Sequence, residues 1–275
     1  MPIPLPPTEL ACPSDLENPT VQVEVVTTAF VLNDWKRVVD DGTRGPIAMP
    51  VLVGVVHHPE GTVLVDAGLG LRSRDGSYPG FPLSALGKLE LPVGAAMVER
   101  LPGPPQLVLM THLHYDHVGG LLDMPGVPVW TTTEDWRAYA HGALGFPRRL
   151  KRAVDWMPQD MGPGVATQVL GRPALDVMGD GAIWYLSLPG HTPGAAAVLV
   201  QAEDGPWLFI GDTAWVDAHL HGARRPWLTR TFIDSSIRQE AASLEWARWL
   251  AAQCPELRIV SGHEPSSSEG LRSGG

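Results

Sequence analysis

Short apolar runs cut by glycine and proline dominate the hydrophobic pattern of this chain, and they predict strands more often than helices. Residues 21–32 are rich in Val and Thr, 47–56 are almost continuously apolar, and 62–65 form a brief apolar run after the turn His58-Pro59-Glu60-Gly61. Together they read as a buried β-sheet. The pattern then changes: 93–101 reads as a short helix, and 106–110 as a buried strand that delivers His112 at its carboxyl end. Residues 121–181 read as an insertion covering the site, with helical segments at 132–140 and 147–156. Strand signals return at 182–188, 195–201 and 207–210. Beyond them Ile237, Ala241, Leu244, Ala247 and Ala251 recur at spacings of three and four behind a Ser236/Gln239 capping box, which predicts one amphipathic helix over 237–254. A closing strand at 257–260 leads to His263. The layout, without any repeat at a fixed period, predicts an α/β fold of two packed sheets with helices outside. It forms a single domain over 21–263, between a proline-rich arm at 1–20 and a tail at 264–275 expected to be disordered.

Composition narrows the function. The 275 residues are 44% hydrophobic, enough for a sizeable core, while 30 glycines and 27 prolines imply many short elements joined by tight turns. A formal charge of −10 repels polyphosphate, so nucleic acid is excluded as a substrate. The one basic cluster, Arg148, Arg149, Lys151 and Arg152, reads as a solvated helix face. Two cysteines, Cys12 and Cys254, are too few for a disulfide framework and read as free thiols. Neither a signal-peptide pattern nor an apolar stretch long enough to span a bilayer occurs, and the cytoplasm is the expected location.

Candidate chemistry concentrates in the run Thr111-His112-Leu113-His114-Tyr115-Asp116-His117-Val118-Gly119-Gly120, three imidazoles and a carboxylate within six positions. With ten histidines in the chain, such a match arises by chance roughly once in 1000 sequences of this size. Three more candidates, His191, Asp212 and His263, each follow a predicted strand and a glycine that lets the backbone bend sharply. The seven side chains have the chemistry and order of a ligand set for two metal ions. Imidazole and carboxylate donors without thiolate suit zinc, and also admit manganese, iron or cobalt.

These motifs, over about residues 21–263, resemble those of the metallo-β-lactamase superfamily. The resemblance implies an αββα sandwich with two metals at one edge of its sheets. His112, His114 and His191 would bind the first, Asp116, His117 and His263 the second, and Asp212 would bridge them. Asp66, in Val63-Leu64-Val65-Asp66-Ala67-Gly68, matches the first superfamily motif and would order the ligand loop from behind. The implied chemistry is attack by a metal-bridging hydroxide, with Asp116 passing a proton to the leaving oxygen.

Within the superfamily the bridging Asp212 argues against a β-lactamase and the acidic charge against a nuclease. Type-II glyoxalases share Gly190-His191-Thr192-Pro193-Gly194 and Gly262-His263-Glu264, but carry a helical segment past the last ligand where only twelve residues remain here. The chain is most similar to the lactonase-like branch that includes the N-acyl homoserine lactonases. This resemblance implies a hydrolase of a lactone or related ester of a small apolar substrate. Phosphotriesters, nitroaryl ethers or esters, and thioesters are the alternatives. One departure is Trp215, three residues after Asp212, where these lactonases usually place a tyrosine. An indole N–H donates a hydrogen bond but is not a usable acid, which leaves Tyr115 as a candidate for that part.

Ten tryptophans are many for this length, and Trp35, Trp130, Trp136, Trp156 and Trp215 fall where they could wall an apolar pocket. Trp215, Tyr115 and Trp35 are the pocket candidates, while Trp246 and Trp249 read as helix packing. Of the remaining histidines, His57 and His58 read as surface groups, His219 and His221 as a second His-x-His without a carboxylate partner, and His141 as a helix end. A homodimer is the expected assembly, from the proline arm and the inserted helices.

Overall fold

Strands that bury both faces generate the layering of this protein. Along β2 (Pro46–His58), Val51, Val53 and Val55 join one buried cluster while Leu52 and Val56 join another. Along β11 (Ala196–Ala202) the same alternation sends Ala196, Val198 and Val200 one way and Ala197 and Leu199 the other. A strand with two apolar sides needs cover on both. The computed structural model, which describes residues 12–13, 21–80, 88–140 and 150–268, supplies it as two sheets face to face with helices on their outer surfaces.

The first sheet has the order β4-β1-β2-β3-β5-β6-β7, with β1 (Gln22–Asp34), β3 (Gly61–Val65), β4 (Lys88–Glu90), β5 (Leu107–Leu109), β6 (Pro128–Thr132) and β7 (Asp155–Gln159). The second has the order β13-β12-β11-β10-β9-β8, with β8 (Thr167–Val169), β9 (Arg172–Asp176), β10 (Ile183–Ser187), β12 (Gly205–Phe209) and β13 (Arg258–Val260). Both are mixed: β3, β5, β6 and β7 pair in parallel, as do β12 and β13, and the other pairs are antiparallel. This is the layered α/β sandwich the pattern predicts.

Eight α-helices are described: α1 (Trp35–Val38), α2 (Met97–Arg100), α3 (Tyr115–Val118), α4 (Thr133–Ala140), α5 (Leu150–Ala153), α6 (Asp217–Leu220), α7 (Trp227–Ile233) and α8 (Ile237–Gln253). The long α8 starts where expected, with the Ser236 hydroxyl accepting from Gln239 N, and buries Leu244, Ala247 and Leu250 on the second sheet. Among the described residues no helix is long and apolar enough to cross a membrane.

Three local readings are corrected. Segment 121–181 carries α4 and α5, but also β6 to β9, which continue both sheets. The described residues of its 147–156 portion are helical at Leu150–Ala153 and then enter β7, because the free edge of β6 offers Trp156 and its neighbours a ladder that local propensity does not reveal. Cys12 and Cys254 are not free thiols but form a disulfide across 242 positions of sequence, tying the start of the chain to the end of α8. His57 is exposed as expected, whereas His58 is buried and pairs with Asp180 at 2.9 Å. The rest of the arm at 1–20, His141, Arg148 and Arg149 lie outside the described residues. Of the tail, Pro265–Ser268 forms a 3-10 turn and 269–275 lie outside them as well.

Candidate metal centre

Loops that follow five strands converge on one place. Asp66 follows β3, the His112–His117 run follows β5, and His191, Asp212 and His263 follow β10, β12 and β13. A single helical turn, α3, winds the run so that Asp116 and His117 are both buried. Gly120, in the 3-10 turn Gly119–Asp123 that follows, packs against the Asp66 loop, its N–H donating to Gly68 O. A Cβ there would lie 2.2 Å from Ala67 O, so no other residue fits the approach.

The seven ligand candidates come together in two groups. The donor atoms of His112, His114, His191 and Asp212 all lie within 4.8 Å of one another, and so do those of Asp116, His117 and His263. Asp212 faces both. Its Oδ2 is 3.3 Å from His191 Nε2 and 3.9 Å from His112 Nε2, while its Oδ1 is 3.3 Å from both His117 Nε2 and His263 Nε2. Three inward atoms, His112 Nε2, His117 Nε2 and Asp212 Oδ1, are buried with no hydrogen-bond partner. Buried polar atoms are normally satisfied, so this set of orphaned donors and acceptors fits a pair of cations.

The outward nitrogens of four of the five imidazoles are occupied. His117 Nδ1 meets Asp66 Oδ2 at 2.7 Å, His191 Nδ1 meets Asp234 Oδ1 at 2.9 Å, and His263 Nδ1 donates to Pro50 O at 2.9 Å. His112 Nδ1 sits 3.2 Å from the Thr111 hydroxyl, which itself donates to Asp66. Such partners fix ring orientation and leave Nε2 for an ion. Asp66 reaches its position with φ 63, a strained value for a non-glycine residue, held by two bonds from Thr111 at 2.7 Å.

Charge is distributed around the cage accordingly. Burial and the neighbouring imidazoles push His112 and His114 well below the ordinary imidazole range, so both are neutral donors. Burial opposes a proton on His117, but Asp66 and Asp212 outweigh it and lift that imidazole well above its usual value. Burial would likewise raise Asp212, yet His263, His117 and His112 hold it well below the carboxylate range. Burial lifts Asp135 to about 6 against the pull of Thr192 and Gly194, whose bonds to it anchor the His191 loop.

Two supporting residues, Asp234 and Arg225, escape the sequence reading. Arg225, only 4% exposed, donates to Asp212 O at 2.8 Å, to Asp234 Oδ2 at 3.2 Å and to Glu240 Oε1 at 2.8 Å. It therefore ties the loop of one ligand to the carboxylate behind another. No spacing rule links 212, 225, 234 and 240, although a basic residue among acidic ones just after the Asp212 motif is a weak signal.

A cavity of about 320 Å³ opens over the cage, and His114, Asp116, His191, Asp212 and His263 form its floor. Tyr115 and Trp215 line it. Trp35 does not: its indole donates to Asp41 and its ring packs into the core. Trp136 and Trp156 stack with Tyr139 elsewhere, and Trp130 packs near Tyr185, so Trp215 alone of the five tryptophans reaches the site. His219 is buried behind it, accepting from Trp215 N and meeting Val38 O, and thus positions the Trp215 backbone.

The superfamily profile of the metallo-beta-lactamases matches residues 47–263, which carry every one of these ligands. The chain belongs to the metallo-beta-lactamase superfamily. A probable metallo-hydrolase of Mycobacterium tuberculosis is 28% identical over 244 residues, covering 80% of this chain and 76% of that protein. N-acyl homoserine lactonase AttM of Azorhizobium caulinodans is 24% identical over 249 residues, covering 83% and 87%. In fold, the chain matches the crystal structure of a B. thuringiensis AiiA mutant with N-decanoyl-L-homoserine bound at its active site. The TM-score is 0.73 at 17% identity, over 92% of this chain and 98% of that one. This metallo-beta-lactamase superfamily member is a metal-dependent hydrolase with a two-cluster His/Asp site.

Proposed function

We propose that the protein hydrolyses an uncharged lactone or a related ester of a small apolar compound. The observation that carries this reading is Asp212, whose two carboxylate oxygens face separate clusters and so suit two cations held side by side. The lactonase similarity of AttM, and the acyl homoserine held by the AiiA mutant, support the substrate class. So does the cavity wall. Beyond the ligands and Asp234 it holds no charged group among the described residues, and Val31, Met49, Trp215, Phe232 and Ile233 are apolar.

A pair of divalent cations in this cage would lower the pKa of a water to about 7 and polarise the carbonyl under attack. Zinc is the proposed metal, given imidazole and carboxylate donors without thiolate; manganese, iron and cobalt suit the same set. The chain itself does the rest. Asp116 borders the cavity beside His263, 3.7 Å from Nε2, where its carboxylate would accept the proton released by the attacking water and pass it to the departing alkoxide. Burial and the nearby Asp116 and Asp212 keep the Tyr115 hydroxyl protonated far above neutral pH, so it serves as a donor to the substrate carbonyl and not as a base.

Elemental analysis should find about two metal ions per chain. On a panel of lactones, carboxylic esters, phosphotriesters, nitroaryl ethers and thioesters, lactones should lead; a ranking led by nitroaryl ethers or phosphotriesters would sink the lactonase reading. Nucleic acid is not a proposed partner, and a homodimer is proposed, to be checked by sedimentation. The cytoplasmic location expected from sequence conflicts with the Cys12–Cys254 bond, since such bonds persist in oxidising surroundings. Alkylating free thiols at the moment of cell lysis would decide between them.

A further inference from the structure

Resting on the reading of the site as a hydrolase of uncharged lactones or esters, we propose that the substrate carries an apolar tail that leaves the cavity across α7 and lies along Phe232 and Leu228. Phe232 is unusual in belonging to two places at once: it walls the cavity and is still 74% exposed. Leu228, 61% exposed, sits four residues earlier and hence on the same helix face. The carboxyl end of α7 is the end at the cavity, because Ile233, Asp234 and Ser235 line it as well. Leu228 therefore lies outward of Phe232, and the two make a track about 6 Å long.

Large apolar side chains this exposed, next to the mouth of an apolar cavity, mark a surface that is covered during function. Charge selects the occupant. Apart from the metal cage and Asp234, which is paired with Arg225, the cavity wall has no charged group among the described residues, so an anionic tail finds no Lys or Arg to pair with, whereas an alkyl or aryl one meets apolar surface. Val31 of β1 and Met49 of β2 supply the facing wall, which leaves the tail an apolar path from the cage outward.

The test is a homologous series of p-nitrophenyl esters from acetate to dodecanoate, with alkyl-substituted γ-lactones as a second series. Once the chain outgrows the cavity, kcat/KM should rise roughly twofold per methylene, about half the effect of complete burial, and level off past Leu228. Leu228→Ser and Phe232→Ala should each lower the long-to-short ratio roughly fivefold to tenfold. Both positions are exposed, and metal content with circular dichroism checks that the variants keep the fold. A chain-length slope that is absent, or identical in the variants, overturns the inference while leaving hydrolysis itself intact. Absence of turnover on every member would instead refute the reading of the site, and this one with it. If Leu228→Ser converts a dimer to a monomer with the slope unchanged, the face is an interface between copies and the tail does not lie there.

Discussion

Replacing Asp234 with Asn isolates one hydrogen bond behind the metal cage. The carboxylate accepts from His191 Nδ1 at 2.9 Å through Oδ1, and from Arg225 Nη2, which lies 3.0 Å from Oδ1 and 3.2 Å from Oδ2. An amide has one acceptor oxygen, so it satisfies either the imidazole or the guanidinium and turns its NH₂ toward the other. Arg225 keeps Glu240 at 2.8 Å, which avoids the 3–5 kcal/mol, roughly, of stranding a buried charge entirely. The fold should therefore survive, and the loss should appear in metal binding. Removing such a partner of a ligating histidine weakens binding about 10- to 100-fold, or 1.4–2.7 kcal/mol. Titration of metal-free protein with Co²⁺, followed by absorbance and by competition with a chelator, resolves two steps. Only the step belonging to His112, His114 and His191 should weaken, with the Asp116, His117 and His263 step shifting by less than about threefold. Two unchanged steps in a correctly folded variant would refute the role assigned to Asp234.

Other perturbations have equally definite outcomes. Burial and the Arg225 charge push His219 from 6.5 down to about 4. Its folded value lies below the unfolded one, so its contribution to stability is complete above pH 6.5 and is lost as pH falls toward 4, up to about 3 kcal/mol. His219→Gln should remove that slope from urea-denaturation curves taken across the window. Gly190→Ala would place a Cβ 2.1 Å from the Glu240 backbone N at φ +143, so it should destabilise by about 3 kcal/mol and weaken metal binding through His191; equal urea midpoints would contradict this. Breaking the Cys12–Cys254 bond, by Cys254→Ser or by reductant, should cost about 2–4 kcal/mol and lower Tm by roughly 5–10 °C. A reductant-insensitive melting curve would show that the bond constrains little.

Legibility in the sequence depends on distance along the chain. The run from His112 to His117 is local, and His191, Asp212 and His263 share a strand-then-glycine grammar, so all seven ligand candidates stand out from residue order alone. Asp234 and Arg225 do not, because their meaning comes from lying against His191 and Asp212 in space. The disulfide is hidden for the same reason, its halves being 242 positions apart. The start of strand β7, Asp155 and Trp156, reads locally as helix since the deciding partner is the edge of β6, and four of the five tryptophans whose segments could wall a pocket pack elsewhere. Local chemistry announces itself in sequence; orientation and support arise from tertiary neighbours.

Because the cage draws its donors from loops after β5, β10, β12 and β13, no fragment of either sheet can assemble it alone. Ion uptake is thus conditional on the finished sandwich, and by mass action each bound ion stabilises both sheets together instead of one loop. Chelation should consequently lower the melting point of the entire molecule in a single cooperative transition. Within a cell, metal supply would govern how long the protein persists as well as how fast it works.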